Sequence, residues 1–274
     1  MTTRRRLMYG SNSSNPLLLD TFNNSVIAYS LRKLSNTYNG YCVKVRRSSD
    51  NTTQNVGFNS DGIIDISSLL SFVGTGNGYV DTLYDQSGNG NNITQSILAS
   101  QPQIVNAGSL YTCGNHYSIY CNTGAYMTRP CLNFTDYSGY FVFKLQVQSG
   151  CPILFQNGTG NGVGLGLLTL NAHSAHERGV ADHAFGSWDN AYDFNTVIRK
   201  QSANKLNCSQ RGNNYTLTPS TVRTPSGIFW LFCLDGGASQ FFGGYFQEMI
   251  FFSDDKSSDT SRIKTNINTY YSVY

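Results

Sequence analysis

Residues 83–95 read Leu83-Tyr84-Asp85-Gln86-Ser87-Gly88-Asn89-Gly90-Asn91-Asn92-Ile93-Thr94-Gln95, an apolar strand end running into a polar, glycine-rich loop. Asp and Asn side chains in such a setting bond their own backbone, and Gly88 and Gly90 permit positive φ, so the stretch predicts a tight loop at a sheet edge. Asp85, Ser87 and Asn89 also occupy positions 1, 3 and 5 of a calcium-loop pattern with Gly90 at position 6, but position 12 is Ser96 where such loops place a bidentate Glu. The structural reading is preferred, with these three residues kept as metal candidates; no cofactor is expected.

Around this loop the composition is that of a β protein. The chain has 274 residues, 39% hydrophobic, 13% aromatic and only 13% charged, with 28 Asn. Asn and Gly serve turns while Tyr, Phe, Val and Thr serve strands, and a single all-β domain of this size is common. The net charge of +3 resides in Arg4, Arg5 and Arg6, since the remaining 16 Lys and Arg balance 16 Asp and Glu. A neutral body lacks the basic face that phosphate contacts require, so no nucleic acid is expected on it. The seven cysteines are odd in number, widely spaced and without a CxxC pair, which disfavours a disulfide framework or zinc site and points to synthesis in a reducing cytoplasm. No apolar run is long enough to span a membrane, and the N-terminus lacks the apolar stretch of a signal peptide.

Residues 1 to about 16 are polar and read as an arm, so the chain divides into a docking arm at 1–20, bearing Arg4, Arg5 and Arg6, and a body at 21–274. A helical turn is expected near Ala28 to Leu34, then a strand over Tyr41 to Arg47. Phe141, Phe143, Leu145 and Val147 alternate with Val142, Lys144, Gln146 and Gln148, the period of a strand with one face in the core. Ile228 to Leu234 reads as a strand buried on both faces. Gly244 to Phe252 reads as another, with Phe246, Glu248, Ile250 and Phe252 on one side. Ser253, Asp254 and Asp255 are expected to cap a helix over Asp259 to Tyr270.

Together with Ala28-Tyr29-Ser30-Leu31-Arg32-Lys33-Leu34 and Val43-Lys44-Val45-Arg46-Arg47-Ser48-Ser49-Asp50-Asn51-Thr52-Thr53, the loop resembles the catalytic domain of fungal arabinofuranosidase B, and a group of bacteriophage virion proteins that reuse that domain. The closing segment, a glycine-led strand bearing a Glu, then a turn and a helix, is similar to concanavalin A-like jelly rolls. The resemblance implies an all-β jelly-roll sandwich of two antiparallel sheets with a few short helices and an extended N-terminal arm.

It also implies where hydrolytic residues would stand. Glycoside hydrolysis usually needs two carboxyl groups across the scissile bond. In the family the nucleophile is a Glu shortly after a vicinal cysteine pair, and the acid/base is an Asp in a Gly-Gly-Asp-Asn stretch. Here the first region reads Ser149-Gly150-Cys151-Pro152-Ile153-Leu154-Phe155-Gln156-Asn157, without a carboxylate, and the second offers only Asp235 in Leu234-Asp235-Gly236-Gly237, displaced by about two positions. Glu177 reads as a surface carboxylate, and His173, His176 and His183 as solvated histidines rather than zinc ligands. Sugar binding needs less: aromatic faces and a few orienting amides or carboxylates, for which Asp85, Asn89, Asn91, Trp188, Tyr192 and Asp235 are candidates.

The expectation is therefore a non-enzymatic structural protein of a tailed bacteriophage virion, made in the host cytoplasm. It would be displayed on tail or head in several copies, dock through its arm to other virion proteins, and bind host surface glycans. The alternative is an active glycoside hydrolase acting on host polysaccharide through Asp235; a secreted lectin is a third reading.

Overall fold

The computed structural model describes residues 16–134, 136–147, 153–159, 163–168, 172–177, 181–187, 191–200, 203–218, 225–234 and 240–274. In chain order its elements are α1 (Leu18–Thr21), β1 (Ser25–Ser30), β2 (Val43–Arg47), β3 (Thr53–Val56), α2 (Ile66–Val73), β4 (Gly78–Leu83), β5 (Ile93–Thr94), β6 (Gln103–Asn106), β7 (Ser109–Leu110), β8 (Thr112–Cys113), β9 (His116–Tyr117), β10 (Ile119–Cys121) and β11 (Met127–Pro130). There follow β12 (Tyr137–Val147), β13 (Ile153–Asn157), β14 (Val163–Leu168), β15 (Ala172–Glu177), β16 (Ala181–Phe185), β17 (Asp193–Lys200), β18 (Lys205–Gln210), β19 (Asn213–Leu217), β20 (Ile228–Leu231), β21 (Gly243–Phe252) and α3 (Thr260–Tyr271).

The strands form the expected sandwich of two antiparallel sheets. One runs β3-β2-β4-β6-β10-β21-β12-β17-β18-β19, with β1 completing the edge of β21 beyond β10. The other runs β5-β11-β20-β13-β14-β15-β16. The two join at β4, whose start pairs with β6 and whose end, Thr82 and Leu83, pairs with β5. Between the sheets lies the main core, with Tyr29, Val43, Phe141, Phe155, Phe229 and Phe251 among its members.

A second core lies outside the first sheet. Ile263, Ile267 and Tyr271 recur every four residues along α3, so they share one helix face and bury it on Tyr140, Val142, Ile250 and Phe252. This layer corrects the expected one-sided burial of β12: Phe141, Phe143 and Leu145 face the main core, but Tyr140 and Val142 are buried too. It also exposes a bulge. Val142 pairs with Glu248 and Phe143 with Phe246, leaving Gln247 as an extra residue in β21. The added residue flips the alternation. Phe246 therefore enters the main core, whereas Ile250 and Phe252 lie under α3, so the expected common side is broken at Gln247.

Three boundaries differ from expectation. Ala28 lies in a strand, because Ala28 to Ser30 pair with Glu248 to Ile250 of β21 and tertiary pairing overrides the i, i+3 leucines. Leu18 is buried against the helix-covered core and Leu19 N–H donates to Leu34 O, so the last residues assigned to the arm are packed on the body. Asp259 stands at the N-cap of α3, while Asp254 and Asp255 bind Lys256 and Ser257 in the preceding turn. Arg4, Arg5 and Arg6 lie outside the described residues. No described helix is long and apolar enough to cross a membrane.

Candidate functional site

The Asp85 to Asn92 loop is stitched to β1 by its own side chains. Asp85 Oδ1 accepts from Ala28 N–H and Ser87 N–H, both at 2.9 Å. Its Oδ2 accepts from Asn91 N–H at 3.0 Å and Ser87 Oγ at 2.6 Å. Asn91 Nδ2 donates to Val26 O, Arg129 Nη2 donates to Asn91 Oδ1, and Gln86 Nε2 donates to Ser30 O and Arg32 O. Gly88 and Gly90 adopt φ of 86° and 72°, as the loop reading requires.

These bonds settle what the loop residues can offer. The oxygens of Asp85 are consumed by four donors inside the protein, and Asn91 is likewise spent on Val26 and Arg129, so neither is placed to orient a sugar or to ligate calcium. Asn89 differs. It is exposed, its Nδ2 donates to Ser25 O and Ser87 Oγ, and its Oδ1 accepts nothing among the described residues. Beside it opens a groove of about 400 Å³ lined by Ser25, Ser35, Thr37, Tyr38, Ser87 and Asn89, among others. Asp20 shapes its wall by accepting from Ser35 Oγ, Asn36 N–H and Asn36 Nδ2. Burial alone would raise the Asp20 carboxyl, but these donors and Leu17 N–H outweigh it and hold it below the usual range.

Of the rings near the loop, Tyr38 lines the groove, and Tyr41 and Tyr84 lie beyond its lining. Tyr38 donates its hydroxyl to Tyr41 O at 2.8 Å, and Tyr41, 49% exposed, faces Tyr84 with ring centroids 5.9 Å apart. Burial pushes the Tyr38 phenol up to about 12, so at neutral pH it remains a hydroxyl. Hydroxyl and amide groups next to exposed rings are the chemistry that sugars use. None of Tyr38, Tyr41 and Tyr84 stands out in the sequence, where 36 aromatics compete; the cue was Tyr84 directly before Asp85.

The other candidates fall elsewhere. Tyr192 donates to Gln247 Oε1 and packs near Gly114, so it belongs to the β8–β9 hairpin rather than the groove. Trp188 and Asp235 lie outside the described residues, as does the side chain of Glu177. Glu248 is 0% exposed and receives Arg32 Nε at 2.8 Å, Arg32 Nη2 at 2.9 Å, Ser30 Oγ at 2.8 Å and Tyr271 hydroxyl at 3.2 Å. That carboxylate ties α3 to β1 and β21.

His173 is also not solvated, contrary to expectation. It lies between Phe143 and Phe185, with Asp193 Oδ2 3.3 Å from Nε2 and Asn195 Nδ2 3.1 Å from Nδ1. Asp193 further accepts from Gln210 Nε2 and pairs with Arg211. Among the described residues no three His, Cys, Asp or Glu side chains gather as a metal site.

The loop lies within a segment that matches a family model. Residues 22–120 match the family model described as alpha-L-arabinofuranosidase B, catalytic. No curated protein sequence matches the chain. Among solved structures, a glutamate-to-glutamine mutant of a GH54 α-L-arabinofuranosidase soaked with 4-nitrophenyl α-L-arabinofuranoside superposes with a TM-score of 0.68 at 19% identity, over 90% of this chain and 63% of that one. An arabinofuranosidase complexed with arabinofuranosyl-α-1,2-xylobiose gives 0.67 at 19% identity over the same shares. The binding domain of Paraclostridial Mosquitocidal Protein 1 gives 0.52 at 13% identity, over 69% of this chain and 50% of that one. The chain thus shares the fold of the arabinofuranosidases and spans 63% of their length.

Proposed function

We propose that this chain is a non-hydrolytic, glycan-binding sandwich displayed in several copies on the virion of a tailed bacteriophage, where it binds host surface polysaccharide. The observation that carries the glycan reading is the open groove lined by Asn89 and Tyr38 on a loop held by Asp85; the Tyr41 and Tyr84 rings, next to Tyr38, would extend it. Shape and stacking suit a sugar chain there, and many copies on one particle multiply weak affinity. Support for a non-hydrolytic role comes from the stretch Ser149 to Asn157, which carries no carboxylate where the resemblance would place the nucleophile, and from Asp85 and Glu248, which are spent on internal donors. Support for the virion reading comes from the resemblance of the loop and its flanks to phage proteins. The thiols of Cys42, Cys113, Cys121, Cys131 and Cys208, none in a disulfide, fit a protein assembled in a reducing cytoplasm.

The test is affinity electrophoresis of the purified chain through gels carrying arabinoxylan or extracted host polysaccharide, with reducing sugar measured in parallel. Retardation that Tyr41→Ala and Asn89→Ala diminish, without sugar release, is expected. Unretarded migration in every gel overturns the glycan reading, and furanoside cleavage abolished by Asp235→Asn replaces it with the hydrolase. Mass spectrometry of purified particles tests the virion assignment, which fails if the chain is absent from them.

A further inference from the structure

A second set of tyrosines forms a row across the first sheet, away from the groove and sharing no residue with it. Tyr79 is directly opposed to Gln103, Gln103 to Tyr120, Tyr120 to Tyr245, and Tyr245 to Lys144. Opposed residues share a sheet face, so these five side chains line up over β4, β6, β10, β21 and β12. That face is the outer one, because Ile119, Cys121 and Phe246, the chain neighbours of Tyr120 and Tyr245, enter the main core. All five members are partly exposed. Four strand spacings give the row a length of about 19 Å, the reach of a short oligosaccharide.

The rings are gathered into a platform. Tyr111 stacks on Tyr120 at 4.9 Å and 29°, Tyr120 lies 5.3 Å from Tyr245, and Tyr111 donates its hydroxyl to Gln103 Oε1 at 3.3 Å. Cations mark both ends. The Arg46 guanidinium sits 4.7 Å over the Tyr79 ring and is held by neutral acceptors alone, Gln101 Oε1, Asn51 Oδ1 and Leu98 O. At the other end, Lys144 enters no ion pair among the described residues, and the one acid beside Tyr79 on β4, Asp81, is taken by Lys44 at 3.2 Å. A cross-strand aromatic ladder serves stability in any sheet, and Arg46 is itself buried against Tyr79; Lys144, partly exposed and without a carboxylate partner among the described residues, is not accounted for in that way.

We propose that this row is a second carbohydrate site, specific for an acidic oligosaccharide. Its sugar rings pack against the exposed parts of the Tyr111, Tyr120 and Tyr245 cluster, and its carboxylates are drawn to Lys144 and to the positive end at Tyr79 and Arg46. The row is made by the register and the charges of this face alone and shares nothing with the groove.

The test is isothermal titration calorimetry of the full chain with tetragalacturonate as the acidic probe and arabinotetraose as the neutral one. Tetragalacturonate is expected to bind, with at least a tenfold loss in Lys144→Gln and in Tyr245→Ala, retention in Tyr245→Phe, and a sharp weakening with added salt. The groove variant Tyr41→Ala is expected to bind it as the parent does. Absence of binding, equal binding of the neutral probe, or binding indifferent to Lys144→Gln overturns the proposal. Loss in Tyr41→Ala alone assigns the acidic sugar to the groove and also overturns it. Lys144 is partly exposed and outside either core, so its variant reports on binding even if Tyr245→Ala fails to fold.

Discussion

Asp85 satisfies four donors with two oxygens, three of them backbone or hydroxyl groups of the loop itself, and that settles its role more firmly than any motif. Replacing it with Ala leaves Ala28, Ser87 and Asn91 N–H groups without their acceptor, at roughly 1–3 kcal/mol for each donor that water cannot reach. Asp85→Ala is expected to lose about 3 kcal/mol in urea denaturation, and the parent is expected to melt at the same temperature with calcium or with chelator. A calcium-dependent rise of several degrees in the parent would restore the metal reading of Asp85, Ser87 and Asn89. The sequence made the turn-forming role of this residue legible, since Asx bonding is local. It could not show that Ala28, 57 positions away, supplies a fourth donor and so withdraws the carboxylate from ligands.

The β8–β9 hairpin and α3 meet through side chains that the sequence treats as unrelated. His116 lies against Tyr270 with ring centroids 4.4 Å apart, and the Arg32 guanidinium is 4.7 Å from the Tyr270 ring centroid. Burial lowers the His116 pKa below 6.5 and nearby Arg32 lowers it further, against a backbone hydrogen bond at Tyr270 that raises it. The sign follows from linkage: above pH 6.5 the ring is neutral folded or unfolded, while below it the unfolded chain takes up a proton that the folded chain refuses. Stability is therefore expected to fall from pH 7 toward pH 5, and the melting temperature of His116→Phe is expected to fall less over that interval. Equal slopes would refute it. At this scale the sequence was readable wherever alternation was regular, as along β12 and into α3. It misled where a partner reset the pattern: pairing with β21 drew Ala28 to Ser30 into a strand, and the Gln247 bulge turned Phe246 away from Glu248.

For the molecule as a whole, the all-β sandwich follows from abundant turn formers, a low charge content and one loop whose flanks are matched by an arabinofuranosidase family model. The proposed function was less legible, because the surfaces it uses are built from residues that only the register brings together. Tyr79, Tyr120 and Tyr245 are each ordinary strand tyrosines in sequence, and they become neighbours only once β4, β6, β10 and β21 lie side by side. The groove poses the same difficulty: Asn89 could be named from its loop, whereas Tyr38 comes from a segment more than forty residues earlier.

The pairing of β1 with β21 has a consequence for biosynthesis. Ser25 meets Phe252, so the first described strand waits for the last before its edge is covered, and β12 waits for the same partner from Ser138 to Val147. Contacts so distant in sequence close slowly, and until they do two open edges are available to other chains. A chain terminated before Gly243 is expected to emerge from translation as aggregate, and refolding of the full chain from urea is expected to show a yield that drops as concentration rises. Soluble, monomeric truncated chain would mean that β1 and β12 find another cover. Otherwise newborn copies must be finished before they meet one another, which makes the pace of synthesis, as much as the stability of the product, the limit on how many reach the native state.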